Sequence, residues 1–466
     1  MLSRKLISEV LLAAMSTGAD FAEVFLERTL SKNIQILEDR VHMAQGSDSS
    51  GMGLRLYKGL ETVYGSTGDL SRDGVLSLAG KVAGALSQTV STPAFCKGGL
   101  RFVESIPFNI SPVRIVPSSV PNKDKIEILR MANDGARSYD SAISQVSVAL
   151  GDIDRSFVVA NSDGLYTGDR QIYTRLTVSS IASSGTENQA GFCGPGRQAG
   201  LEMFQSGIDP AWCGREASRI AMVNLKAVYC KGGTFPVAIE NGFGGVIFHE
   251  STGHSLEATQ VAYGNSEFCS KLGQLVANPK VTAIDDGTIP GAWGSVNIDD
   301  EGRPGQKNIL IENGVLKSYM IDTFNARRME GLRPTGNARR QNFQFAPTSR
   351  MTNTYIAPGN DSDEDIIGSI ENGIYCKKMG GGSVNPITGA FNFAVCEGYM
   401  IRNGKICEPV RGATLIGKGS QVIKDMDMVG TKVDMGQGMC GSLSGSVPVN
   451  VGQPLIRVKK ITVGGR

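Results

Sequence analysis

Apolar and polar residues change rhythm several times along the chain, and each change marks an element. Leu2, Leu6, Ile7, Val10, Leu11 and Met15 recur at three- and four-residue spacing, which predicts an amphipathic first helix. Glu9 interrupts that apolar stretch, so the segment reads as a helix and not as a removable signal peptide. Alternation then takes over in DFAEVFLER, KNIQILEDR, GMGLRLYKG and ETVYGST, four short strands separated by Gly, Ser or Lys-Asn turns. Ser71 is a candidate N-cap for a second amphipathic helix, with Val75, Leu76, Leu78, Val82 and Leu86 as its apolar positions. A Pro- and Ser-rich passage from about 106 to 121 reads as a linker. Beyond it, KDKIEILRMANDGARSY predicts a helix, and the alternation in SQVSVALGDIDRSFVVANSDG and RQIYTRLTVSSIASSG predicts strands. A further helix is expected from about 209 to 228. After Cys230 the texture becomes short β segments, Gly turns and one helix.

These rhythms predict an α+β chain, mixed and strand-rich, in two to three parts. The expected division is an N-terminal α/β domain over 1–100, a central α+β domain over 101–229, and a β-rich C-terminal domain over 230–466. A length of 466 residues exceeds what one ordinary core holds, which agrees with that division. The 59 glycines are dispersed without a Gly-X-Y period, so they fit tight turns between strands and not a collagen or a linker.

Charge narrows the functional classes. Lys and Arg number 47 against 45 Asp and Glu, a net charge of +2 with no like-charge run, so no footprint for nucleic acid is present. No run approaches the ~18 apolar residues of a membrane-spanning helix, and no membrane role is expected. Nine cysteines (96, 193, 213, 230, 269, 376, 396, 407 and 440) form no CxxC pair, which suits reduced thiols in a cytoplasmic protein. The glycines of GFGGVIFHE form no dinucleotide fingerprint, and no Lys-Ser/Thr follows them to bind phosphate.

The chemistry concentrates in His249-Glu250-Ser251-Thr252-Gly253-His254. The chain has only three histidines, and two of them flank a glutamate within six residues. Imidazoles bind Zn²⁺ through nitrogen, and a neighbouring glutamate reaches a metal-bound water as a base. The familiar HExxH spacing places its imidazoles about 40° apart on a helix, whereas this HExxxH spacing places them about 140° apart. Two ligands so far apart do not converge on one ion unless the helix is distorted. Gly253 makes distortion plausible, and a π-bulge at 251–253 within a helix from about 245 to 260 would absorb the extra residue. An unbroken α-helix with diverging imidazoles would exclude a metal site.

Two ligands beside a glutamate describe an open, catalytic site and not a closed structural one. A third ligand must come from elsewhere. Glu257, Cys440, Asp285, Asp286, Asp299, Asp300 and Glu301 are candidates among which spacing does not choose.

GFGGVIFHESTGHSLEA, followed by IDDGTIPGAWGSVNIDDEGRPGQKNILIENGVLKSYMID, TGNARR, SRMTNTYIAPG, GGGSVNPITGAFNF and EPVRGATLIG, resembles the TldD/PmbA peptidases. The final GMCGSLSGSVPVNVGQPLIRVKKITVGG resembles the C-terminal signature of the TldD branch. The likeness is specific over roughly 230–466 and looser, but in order, before that. It implies His249, His254 and Cys440 as zinc ligands, Glu250 as general base, and a catalytic TldD-type member, since the TldE (PmbA) partner lacks the motif. It also implies unfolded or extended peptides as substrates, and a dimer with a TldE-like partner or with itself. Ser349, where the family pattern has proline, is expected to alter a turn and not the metal site.

On these residues the expected reaction is attack of zinc-activated water on a peptide carbonyl, with Glu250 moving the proton. A thiolate ligand would donate more charge than a third imidazole, which suits slow processing more than digestion. Tyr375, Tyr399 or the backbone N–H groups of 380–382 are candidates to stabilise the oxyanion, although a tight turn is the plainer reading of those glycines. GAFNFAVCEGYM is a candidate edge strand for capturing an extended peptide, with a buried core strand the better reading. The alternatives are a non-catalytic peptide-binding subunit of a TldD/TldE-type complex, or a metal hydrolase acting on other amides.

Overall fold

The computed structural model describes residues 2–86, 100–385 and 388–466; Cys96 lies outside them. It is a mixed, strand-rich α+β fold. The first helix, Arg4–Ala14, starts at Ser3, whose side chain accepts from the Leu6 N–H, and buries Ile7, Val10 and Leu11 as its spacing requires. The helix Arg72–Leu86 starts at Ser71, whose Oγ accepts from the Gly74 N–H at 3.1 Å. Helices Asn122–Arg137 and Pro210–Lys226 complete the larger helical elements, the last capped by Asp209.

The strands of the first half are longer than their apolar segments. DFAEVFLER and KNIQILEDR form one strand, Phe21–Leu37, because Lys32-Asn33 makes no turn: Asn33 pairs with Gln45 on one side and Gly151 on the other. This strand lies between Arg40–Lys58 and Ile143–Asn161, with Glu61–Thr67 outside the former and Leu165–Ser184 outside the latter, all antiparallel. The passage 106–121 has little regular structure beyond the short 3₁₀ turn Pro117–Ser119.

The two faces of this sheet follow the two-residue period of a strand. Even-numbered Ala22, Val24 and Leu26 pack under helices Arg4–Ala14 and Arg72–Leu86. Further along the same face, Ile34 and Ile36 share a core with the other two long helices. Odd-numbered Glu23, Phe25 and Glu27 turn toward the C-terminal half.

A buried network of charges forms that seam. Arg55 Nη2 lies 3.0 Å from Glu23 and 2.7 Å from Glu301, and Arg340 Nη2 is 3.0 Å from Glu23. Arg155 meets Glu27 at 2.6 Å and Asp300 at 3.0 Å. The Phe343 N–H donates to the second oxygen of Glu27 at 2.6 Å, so backbone as well as side chains fasten the halves together.

The C-terminal half holds two further large sheets. In one, Asn372–Val384, Gly233–Ile239, Ile456–Gly464, Thr414–Lys418 and Ala390–Arg402 pair in turn, and the last pairs again with the first to close a ring. The other is six-stranded and ends in the antiparallel hairpin Asp434–Ser442 and Gly445–Gln453. One apolar core runs between them and contains Val246, Ile247 and Phe248, the turn that leads into His249. Among the described residues no helix is long and apolar enough to cross a membrane.

Candidate metal centre

The α-helix carrying His249 and Glu250 is short, Val246–Ser251. Gly245 at its start lies so close to the Gly452 backbone that a Cβ would come within 2.4 Å of it, so the helix is pressed against the hairpin that carries Cys440. The last α-type bond runs from Thr252 N–H to Phe248 C=O at 3.0 Å. Thr252 then leaves helical geometry (φ −133°, ψ −43°), and a 3₁₀ turn follows over Gly253–Leu256. The expected π-bulge within a continuous helix over 245–260 is therefore corrected. Distortion falls at the expected residues, but the helix ends instead of absorbing the extra one. Met351 accounts for the glycine at the break: a Cβ on residue 253 would sit 2.4 Å from its Sδ.

The break brings the two imidazoles together. His249 Nε2 lies 3.3 Å from Cys440 Sγ, and His254 Nε2 lies 3.2 Å from the same sulfur. Ligand atoms of all three residues fall within 4.8 Å of one another, and all three residues are buried. The rings stand nearly perpendicular, at 86°. In a tetrahedral site with bonds of about 2.3 Å to sulfur and about 2.0–2.1 Å to nitrogen, S···N pairs are about 3.5 Å apart. The observed separations are close to that, so this donor set fits Zn²⁺.

Carboxylates frame the cluster unequally. Glu257, itself 2% exposed, places Oε1 3.2 Å from His254 Nδ1, on the side of the ring away from Cys440. Such a carboxylate fixes the tautomer of a ligating histidine. Glu250 places Oε2 3.5 Å from His254 Nε2, and its side chain is a quarter exposed, so it faces both the donors and solvent. Burial opposes charge on His254, yet Glu257 and Cys440 raise its pKa well above the usual value. Burial likewise opposes a thiolate at Cys440, and the facing His254 and His249 rings bring its pKa well below that of a free thiol. A sulfur held as thiolate is the form that binds metal.

Models of the three parts of the PmbA/TldA metallopeptidases match this chain in order: domain 1 over residues 22–86, the central domain over 115–225, and the C-terminal domain over 232–465. The chain belongs to the PmbA/TldD metallopeptidase family. It is 36% identical to a metalloprotease TldD homolog of Haemophilus influenzae over 96% of this chain and 93% of that one. It is 35% identical to the corresponding homolog of Buchnera aphidicola with the same coverage. A zinc metalloprotease TldD homolog of Saccharolobus solfataricus shares 33% identity over 52% of this chain and 54% of that one. The fold is also that of crystalline TldE from Thermococcus kodakarensis, at a TM-score of 0.76 and 18% identity over 99% of this chain and all of that one.

Within this PmbA/TldD member, the other acidic candidates are occupied elsewhere. Asp285 accepts from Thr352, Thr354 and Asn337, and Asp286 from Thr288. Asp299 accepts the N–H groups of Glu301, Arg303 and Ala338. Asp300 and Glu301 belong to the seam network. The Tyr375 hydroxyl donates to Glu240 and that of Tyr399 to Glu397 at 2.6 Å, with the two rings packed in a separate small core. Residues 380–382 form no tight turn but lie in the bulged strand Asn372–Val384. The strand Ala390–Arg402 is paired on both sides, so its edge is not free to take a peptide. His42 is exposed on the first sheet. Ser349 sits in a short strand pair, where its N–H, which proline lacks, donates to Asp322 at 3.1 Å.

Sequence reasoning missed Arg350. This fully buried guanidinium donates to the Cys440 carbonyl, to Ser444 Oγ at 2.9 Å and to the Gly445 carbonyl at 2.8 Å, and so holds the tip of the Cys440 hairpin. A lone arginine in SRMTNT carries no periodic or spacing signal of that role.

Proposed function

We propose that this chain is a zinc peptidase that cleaves unfolded or extended peptides, with His249, His254 and Cys440 holding the metal and Glu250 as general base. The observation that carries this reading is the meeting of two imidazoles and one sulfur from distant parts of the chain, with Glu250 on the solvent side. Zn²⁺ at these donors supplies Lewis acidity toward a peptide carbonyl and toward a water. Glu250 takes the proton of the attacking water and returns it to the leaving amine. Glu257 keeps the His254 ring oriented, and Arg350 keeps the Cys440 strand in place. The thiolate donor moderates the Lewis acidity, in keeping with slow processing. The working unit in this reading is a cytoplasmic dimer with a TldE-like partner or with a second copy.

Native mass measurement with zinc analysis tests the assembly and the metal together: a homodimer carries two sites and a heterodimer one. Glu250→Ala should keep its zinc and lose peptide cleavage by about 10²–10⁴-fold; cleavage at the unaltered rate would exclude it as the base. Cys440→Ser should lower the zinc content of folded protein, and full occupancy would remove the sulfur from the ligand set.

A further inference from the structure

The reaction above leaves unused a groove on the other side of the Cys440 hairpin. Two adjoining cavities of about 340 and 480 Å³ lie there, with Ile153, Tyr173 and Met439 in the walls of both. Their floor is the odd-numbered face of the first sheet, where Ile153 and Tyr173 are direct register partners. Their roof is the hairpin, through the paired residues Met439 and Pro448. Strand alternation puts Met439 on the face opposite Cys440, so one hairpin separates the groove from the metal centre.

Four arginines line this groove, and they are not equivalent. Arg155 is held by Glu27 and Asp300, and Arg340 by Glu23. Arg175 and Arg339 have no carboxylate partner among the described residues. Arg339 is 4% exposed and donates to the Met351 carbonyl at 2.8 Å. Arg175 donates to the Gly194 carbonyl at 3.2 Å and lies 5.7 Å from the centre of the Trp293 ring. Burial lowers the pKa of both guanidinium groups: nothing offsets it at Arg175, and at Arg339 the more distant Asp300 and Asp285 offset it only in part. The acidic groups on the lining are spoken for: Asp152 takes Lys125 at 2.6 Å and Asp300 takes Arg155. Arg339 lies in the wall of the first cavity and Arg175 in that of the second; an apolar cleft with unmatched cations in its walls is the form of a site for an anionic ligand, and arginine pairs with carboxylate through two parallel N–H donors.

We propose that this groove is a carboxylate-binding subsite for the peptide substrate, with Arg175 and Arg339 as its cations and Ile153, Met439 and Pro448 contacting the apolar part of the bound segment. The proposal rests on the peptidase reading for the identity of its ligand. The carboxylate is either the peptide's C-terminus or an acidic side chain held away from the metal.

Full-length Glu250→Ala protein, supplied with zinc, allows binding to be read without cleavage. Labelled unstructured peptides that differ only in their carboxylates would be titrated by fluorescence anisotropy. Replacing the recognised carboxylate by its amide should raise Kd by about tenfold or more. Loss with the terminal amide identifies the C-terminus, and loss with the side-chain amide identifies an acidic residue. Equal Kd for all the peptides overturns the subsite. Adding Arg175→Gln should erase the difference while the uncharged peptide binds as before. Arg175 is the more exposed of the pair, so this variant decides the matter even if Arg339→Gln does not fold, and a preference kept in full by folded Arg175→Gln overturns the assignment. Cleavage of the uncharged peptide by the unaltered zinc-supplied chain tests the peptidase reading separately. Cleavage without carboxylate preference removes only the subsite, and carboxylate-dependent binding without cleavage removes only the peptidase.

Discussion

At the seam between the halves, Glu23, Glu27, Asp300 and Glu301 meet Arg55, Arg155 and Arg340, and each carboxylate has a guanidinium within 3.0 Å. In the cluster below it, two imidazoles and a sulfur point at one another, with one carboxylate behind a ring and one at the solvent edge. Both sets are buried, and both draw on residues far apart in sequence. What separates them is where the lone pairs point. In the seam they already face donors of the protein, so the charges serve geometry. In the cluster they converge on one another, an arrangement that a bound cation would stabilise. Counting buried ionisable groups would not have told the two apart.

The largest expected effect breaks the first set. Arg340→Met removes a fully buried cation and leaves Glu23 with Arg55 alone, which should cost about 3–5 kcal/mol in urea denaturation. Zinc bound per folded chain should not change; a parallel loss of zinc would mean that the two clusters are coupled. A smaller effect is expected at the second set. Glu257→Gln should keep the His254 ring in place but weaken its orientation, lowering zinc affinity about 10–100-fold in competition with a chelator. An unchanged affinity would reduce Glu257 to a packing residue.

The smallest effect supplies a baseline outside both sets. Glu202 accepts the N–H groups of Ile115, Gly200 and Arg114, and among the described residues no cation pairs with it. Burial alone would push its pKa up, but those N–H groups hold it below the usual value. A depressed carboxylate pKa contributes stability above the unfolded value of ~4.3, and that contribution is lost as pH falls through the folded value. Glu202→Gln should therefore be less stable than the unaltered chain by about 1–2 kcal/mol at neutral pH. The gap should close as the medium is acidified below pH ~4, and a constant gap would assign the effect to packing.

The four long helices and the cap at Ser71 were legible in the sequence, because apolar spacing such as that of 75–86 and a capping side chain act locally. So was the site of the helix break, since a five-residue spacing cannot align two rings without one. The form of the break was not legible, because it depends on packing against residues such as Met351, about a hundred residues downstream, which spacing within the motif does not report. The seam network escaped for a related reason. Alternation in DFAEVFLER marks a strand with two faces, but one strand does not reveal that its charged face is covered by Glu301 and Arg340. Lys32-Asn33 looked like a turn because its composition outweighed its pairing partners, one of them, Gly151, more than a hundred residues away. The third donor at the centre, Cys440, came only through family likeness, and its place beside both imidazoles is a property of the folded hairpin.

The span between the donors has a temporal meaning. His249 and His254 are synthesised early relative to their third partner, since Cys440 lies 191 and 186 residues further on. During synthesis, which proceeds and folds from the N-terminus, the ribosome must release the closing hairpin before the three donors can meet. A chain cut short before that hairpin would keep the whole HExxxH segment and still lack the sulfur. The cluster thus cannot form before that hairpin has been made, and its assembly reports that synthesis has passed residue 453.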